Sequence, residues 1–144
     1  MRIVIAAKAL LASTVVGIIG GQVLADISSG TAIRRRLHEI QPEVVFIDET
    51  AGLANVPRIG LVDSAPTVIA LMWNATLPKI RRAGMSGCYD VIDLTATGWR
   101  GDLWASLFAA QAGRRASLRW AQPAHPLARL SARLALVALS RSVA

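Results

Sequence analysis

The residues of this chain that could do chemistry are few. Asp48 closes the apolar run EVVFI (43–47) and is followed by Glu49 and Thr50. A carboxylate at the end of a strand-like run, beside a second acid and a hydroxyl, can ligate a hard cation, accept a phosphoryl group or anchor a small polar ligand. The alternative is a remnant acid, solvated at a strand end. Asp90 and Asp93 border a second apolar segment, CYDVI (88–92), and surface solvation is their default. Cys88 is the single cysteine, so no internal disulfide can form, and it reads as a small buried residue. His38 and His125 have no Cys/His cluster around them, which argues against a structural zinc site. No nucleophile-elbow pattern is present, and GIIGG (17–21) lacks dinucleotide-loop spacing. The expectation is a chain that is not an enzyme and uses no metal or cofactor.

The elements that would position Asp48 alternate between strand and helix. RIVIA (2–6) reads as a buried strand, 10–19 as a helix and Gly20-Gly21 as its stop. VLADI (23–27) is a short strand. In TAIRRRLHEI (31–40), Ile33, Leu37 and Ile40 fall on one helical face, and Arg34, Arg35 and Arg36 lie mainly outside it. Gln41-Pro42 ends that helix, and EVVFI follows as a strand covered on both faces. Residues 51–66 carry Pro57, Gly60 and Pro66 and show no clear periodicity. TVIALMW (67–73) is the next strand, with RIGLV (58–62) as its competitor. A short helix over 76–83 stops at Gly84, CYDVI is the fifth strand, and Asp102 caps a helix beginning LWASLFAAQ. In that helix Leu103, Leu107 and Phe108 are expected on one face with Trp104 beside them. The order implies an α/β fold, a three-layer doubly wound parallel five-stranded sheet. Such sheets gather their chemistry at the carboxyl ends of the strands, where Asp48 lies.

The N-terminus admits a second reading. Arg2 and Lys8 could form the charged region of a secretory signal, 9–20 its apolar region and Val23-Leu24-Ala25 its cleavage site. On that reading residues 1–25 are removed and the protein is exported. The strand–helix reading instead predicts a cytoplasmic protein with no membrane span.

The net charge of +7 is uneven. Residues 1–112 hold 10 Lys and Arg against all 9 acids, while Arg114, Arg115, Arg119, Arg129, Arg133 and Arg141 follow with no acid after Asp102. The chain divides into an α/β domain (1–112), a basic linker (113–126) and a C-terminal helix (127–144) with a stripe of Leu127, Leu130, Leu134 and Val137. An arginine-rich tail suits a solvated extension first, and a nucleic acid or acidic partner second.

Three blocks resemble response-regulator receiver domains: MRIVIAAKALL (1–11), VLADISSGTAIRRRLHEIQPEVVFID (23–48) and RRAGMSGCYDVIDLTATGWRGDLWASL (81–107). The resemblance implies the flavodoxin-like strand order 2-1-3-4-5, with Asp48 at the phospho-acceptor position and a reduced third helix. It also implies losses. The family's acid pair after the first strand falls on Ala6 and Ala7, its hydroxyl ending the fourth strand on Met72 (or Asp63, if RIGLV is that strand), and its lysine near the end of the fifth strand on Val91. Without the first-strand carboxylates a magnesium ion lacks its oxygen ligands. The implied function is a phosphorylation-independent signalling module in two-component-type or transcriptional regulation. Its partner protein or second copy would bind the face of the fourth helix, fifth strand and fifth helix, with Trp99, Trp104, Leu107 and Phe108 as the candidate interface. LSARLALVAL (130–139) is similar to the first helix of a LuxR-type helix-turn-helix, with no recognition helix after it.

Overall fold

The computed structural model describes residues 1–24, 30–51 and 65–120. Strands β1 (Ile3–Ala6), β2 (Gln22–Leu24), β3 (Val44–Asp48), β4 (Thr67–Met72) and β5 (Asp90–Asp93) form one parallel sheet in the order β2-β1-β3-β4-β5. Helices α1 (Ala9–Ile19), α2 (Gly30–Ile40), α3 (Leu77–Ser86) and α4 (Trp99–Trp120) cover it. The last two are the counterparts of the family's fourth and fifth helices. One turn of 3-10 helix (Glu49–Ala51) follows β3. The expectation of a reduced third helix, the competing strand RIGLV and Asp63 lie outside the described residues, as do 25–27 of the second predicted strand.

Alternation along each strand divides the core into two layers. Val4, Ala6, Val45, Ile47, Val68, Ala70, Met72 and Val91 face α2 and α3, meeting Ile33, Leu37, Ile80 and Ala83. Ile5, Val44, Phe46, Ile69, Leu71 and Ile92 face α1 and α4, meeting Ala12, Val15, Leu103 and Leu107. β1 sits between β2 and β3, in register Ile3↔Val44 through Ala6↔Ile47. The strand–helix reading of the N-terminus is therefore the one the fold contains: Ile3–Ala6 is a central strand, and α1 packs on its face. No helix among the described residues is long and apolar enough to cross a membrane.

Local chemistry sets the boundaries. α1 stops at Gly20-Gly21. Gly21 has φ 111, and a Cβ there would come within 3.0 Å of the Ile3 carbonyl oxygen, so the turn into β2 requires glycine. α3 runs past Gly84, where the sequence placed its end, and stops at Gly87, whose φ of 105 closes the last turn by donating its N–H to Ala83 and Gly84 carbonyls. One interior glycine costs a helix only about 1 kcal/mol, which packing of Ile80 and Ala83 outweighs. The helix boundary expected at 113 moves as well: α4 passes through Gly113 and reaches Trp120, so residues 113–120 are helical. The C-terminal helix expected over 127–144 lies outside the described residues. Asp102 is not the cap of α4; it lies in the first turn of a helix that starts at Trp99, where its charge suits the helix dipole.

Asp90 departs from its expected solvation. It is fully buried, its Oδ2 accepts from the Ser106 hydroxyl at 2.6 Å and its Oδ1 from the Val91 N–H at 2.8 Å. Ser106 is also fully buried, so this bond ties the start of β5 to the inner face of α4. Deleting the hydroxyl removes a buried hydrogen bond to this carboxylate, and Ser106→Ala is expected to cost about 1–3 kcal/mol in urea unfolding. A loss no greater than that of an exposed substitution such as Ala105→Ser would show that the bond contributes nothing.

Candidate functional site

The site is the rim at the carboxyl ends of β1, β3, β4 and β5. Ala6 and Ala7 close β1 there, and both are fully buried. Ala6 belongs to the layer under α2 and α3, and Ala7 to the layer under α1 and α4. Asp48 closes β3 beside Leu71 of β4. It is 2% exposed, which corrects the expectation of a solvated remnant. The Thr50 N–H donates to its Oδ1 at 3.1 Å. Met72 closes β4 and is fully buried, a thioether at the hydroxyl position.

The fifth-strand position requires a correction. Val91 pairs with Ala70, inside the sheet, and is buried among apolar side chains. The residue at the rim, level with Met72, is Asp93. The apolar run CYDVI suggested a strand ending at Ile92. The ladder instead runs from Asp90 to Asp93, and the Tyr89 N–H donates to the Val68 carbonyl just before it. The rim thus carries an anion on β5.

Two carboxylates grip the loop after β4 from opposite sides. From the β3 side, Glu49 Oε1 accepts from the Trp73 N–H at 3.2 Å and from Lys79 Nζ at 3.3 Å; its Oε2 lies 3.1 Å from the same ammonium. Lys79, in the first turn of α3, also donates to the Trp73 carbonyl at 2.8 Å. From the β5 side, Asp93 Oδ1 accepts from the Thr95 hydroxyl at 2.6 Å and the Thr95 N–H at 3.0 Å. The N–H groups of Ala75 and Asn74 also bond its carboxylate. Burial by itself would raise the Asp93 pKa, but these four donors together hold it below the ordinary carboxylate value. Asn74 adopts φ 57, a left-handed conformation that asparagine tolerates well.

These residues do not fit a hard divalent cation. Magnesium needs near-octahedral oxygen ligands, and methyl groups stand at both first-strand positions. Among the described residues no group of three or more His, Cys, Asp or Glu side chains is placed to hold a metal ion. The lysine near the rim is engaged with Glu49, and the strand-end group of β5 is negative. Cys88, fully buried, has its thiol pushed up to about 12 by burial and stays protonated.

The candidate interface divides. Leu107 is 5% exposed and belongs to the core, which removes it from any surface. Trp99 is partly buried against the α1–α4 layer, with the Arg100 guanidinium 4.5 Å from its ring centre. Trp104 and Phe108 are 40% and 59% exposed and stack on each other with centroids 5.7 Å apart. Phe108 does not share the inner face of Leu103 and Leu107. At 3.6 residues per turn it follows Trp104 by one turn and points away from the sheet.

Sequence reasoning missed Glu49–Lys79 and the Asp93 cluster. Thirty residues separate Glu49 from Lys79, and nothing local signals the pair. For Asp93 a signal existed: Asp-x-Thr at the end of an apolar run is an Asx-type turn.

No family model matches the chain, and a search of curated proteins finds no match. Solved structures do match. The receiver domain of NtrX from Brucella abortus superposes with a TM-score of 0.65 at 17% identity, over 77% of this chain and 98% of that one. A LuxR-family two-component response regulator from Aurantimonas sp. SI85-9A1 gives 0.67 at 18% identity, over 78% and 85%. The pilus-assembly protein CpaE from Burkholderia thailandensis gives 0.61 at 18% identity, over 78% and 99%. Of the longer NtrX chain, this protein spans 29%. The fold is that of response-regulator receiver domains: five parallel strands in the order 2-1-3-4-5, wrapped by helices on both faces.

The depressed Asp93 pKa gives a pH signature. The folded state binds fewer protons than the unfolded chain, so the stabilisation is fully present above the unfolded value near 3.8 and is lost as pH falls through the lower folded value. Asp93→Asn is expected to lower the melting temperature at neutral pH, with the gap to wild type closing below that value. A gap that stays constant down to the acid transition would show that Asp93 carries no such linkage.

Proposed function

We propose that this chain is a receiver-like signalling module that works without phosphorylation, by protein–protein contact through the face carrying Trp104 and Phe108. The observation that carries the reading is the rim itself. Buried methyl groups stand at the acid-pair positions, and internal carboxylates already hold the β4–α3 loop. Phosphoryl transfer to an aspartate depends on a cation to neutralise the charge that develops on the transferring group. Here Asp48 is enclosed, the ligands for such a cation are missing, and the strand-end residue of β5 adds negative charge. The loop that a bound phosphoryl group would contact is tied by Glu49 on one side and Asp93 on the other. Its position then depends on the protein's own charges and on no modification.

Trp104 and Phe108 supply the recognition surface. A stacked, half-exposed aromatic pair on a helix is the kind of anchor that dominates protein interfaces, since large rings bury much area with few rotatable bonds. The likeness to NtrX and to the LuxR-family regulator supports a setting in two-component-type or transcriptional control. The partner is a second protein or a second copy of the chain. A contribution from nucleic acid rests on the tail arginines, of which Arg114, Arg115 and Arg119 fall on α4. It would show as steeply salt-dependent binding.

Incubation with acetyl phosphate and Mg²⁺ is expected to leave the intact mass unchanged. Gain of one phosphoryl group on Asp48 would overturn phosphorylation independence. Trp104→Ser with Phe108→Ser is expected to abolish partner binding while changing unfolding free energy by little more than about 0.5 kcal/mol per site, because both side chains face solvent.

A further inference from the structure

We infer that the outer side of α4 docks an acidic amphipathic segment of another protein, a helix with apolar residues at its centre and carboxylates towards its ends. This rests on the reading of Trp104 and Phe108 as a recognition surface and adds the chemical class of the partner.

The observation is a stripe of residue types along one side of α4. With 3.6 residues per turn, positions 100, 104, 108, 111, 115 and 119 fall within about 100° of one another around the helix axis. They are Arg, Trp, Phe, Gln, Arg and Arg. The buried residues Leu103, Ser106, Leu107 and Ala110 occupy a different side, against the sheet. Asp102 is the one acid in the helix sequence, and it falls about 150° from the middle of the stripe.

The stripe has an order along the axis. Its apolar part is the stacked, half-exposed pair Trp104 and Phe108. Arg100 is exposed one turn before Trp104, and its guanidinium lies 4.5 Å from the centre of the Trp99 ring. That contact holds a cation beside the pair before any partner arrives, which lowers the entropy lost on binding. Arginine recurs at position 115, about 10 Å beyond Phe108, and again one turn later at 119. Rings bracketed by arginine positions are the complement of a helix whose apolar residues are bracketed by carboxylates. The rings act as the desolvated anchors, and the guanidinium forks pair with carboxylates and set register. A helix of about 16 residues, about 24 Å long, reaches from Arg100 to position 115.

Charge decides against the two other occupants. A second copy has few carboxylates to offer: Asp48 and Asp90 are buried, Glu49 and Asp93 hold the β4–α3 loop, and Glu39 pairs with Arg36 at 2.7 Å. The chain as a whole carries +7, so two copies repel until other contacts outweigh that charge. A nucleic acid carries a phosphate about every 3.4 Å along each strand and calls for cations at comparable spacing. Here about 22 Å separates positions 100 and 115, with the two rings between them. Those rings stack on each other with an interplanar angle of 24°, so each has one face already covered against a base.

The test is fluorescence anisotropy on the full chain with three labelled probes: a synthetic helical peptide of about 16 residues with leucines along one face and glutamates in its first and last turns, the same peptide with lysines for the glutamates, and an oligothymidylate of similar length. The acidic peptide is expected to bind about tenfold or more tightly than the basic one. Arg100→Glu/Arg115→Glu should remove that preference. Arg34→Glu/Arg35→Glu makes the same change of charge on α2, across the sheet, and should leave it intact, which separates the stripe from the general positive charge. Arg100→Glu alone, at an exposed position, repeats the comparison if the double variant loses helical signal in circular dichroism. Absence of binding by the acidic peptide overturns the proposal, as does equal binding of both peptides or an equal effect of the α2 and α4 charge reversals. Tighter binding of the oligothymidylate overturns it in favour of nucleic acid. A dimer mass that Trp104→Ser/Phe108→Ser abolishes overturns it in favour of a second copy. The underlying reading fails differently: the acidic peptide would then bind the Trp104→Ser/Phe108→Ser variant as tightly as wild type, whereas loss of binding there without a preference for acid overturns only the partner class.

Discussion

The sheet has to bury both faces of β1, and most of the molecule follows from that. β1 is hydrogen-bonded to β2 on one side and β3 on the other, with α2 and α3 beneath one face and α1 and α4 on the opposite one. Val4, Ile5, Ala6 and Ala7 are fully buried, so the strand is apolar from there to its end. That packing leaves no place for a pair of hydrated carboxylates. A charge at Ala6 or Ala7 would be buried without a partner, at a cost of several kcal/mol. The apolar closure of the strand and the lack of a cation-ligand group among the described residues go together.

The rim's polar groups then satisfy one another. Glu49 and Lys79 close across the end of β4, and Asp93 collects N–H groups of the loop that follows it. An exposed ion pair of this kind is worth about 0–1 kcal/mol by itself. Its effect lies in placement: it shares its acceptor with the Trp73 N–H and its donor with the Trp73 carbonyl, so the pair and the backbone hold each other. Asp90 does the same at the opposite end of β5, through Ser106. Three carboxylates at strand ends are thus structural fasteners. The exposed ring pair, Trp104 with Phe108, is aromatic and stacked.

That division gives α4 two distinct faces. Its inner residues, Leu103, Ser106, Leu107 and Ala110, complete the core, while Trp104 and Phe108 on its outer side stack on each other and remain half exposed.

The strand order was implied by the resemblance to receiver domains; the sequence alone determined the order of elements and the composition of the core. Those depend on short-range periodicity: continuous apolar runs for strands covered on both faces, an i, i+4, i+7 stripe for α2, and glycine at the turns. It also determined that Ala6 and Ala7 cannot ligate a cation. Tertiary structure alone decided where each charge went. Asp48 and Asp90 became buried, Asp93 took the rim position first assigned to Val91, and Glu49 met Lys79 across a gap of 30 residues. It also decided that Leu107 turns inward while Phe108 turns outward. Periodicity specifies which residues leave water. Which polar atom meets which depends on strand register and helix rotation, and those are set by packing between segments distant along the chain.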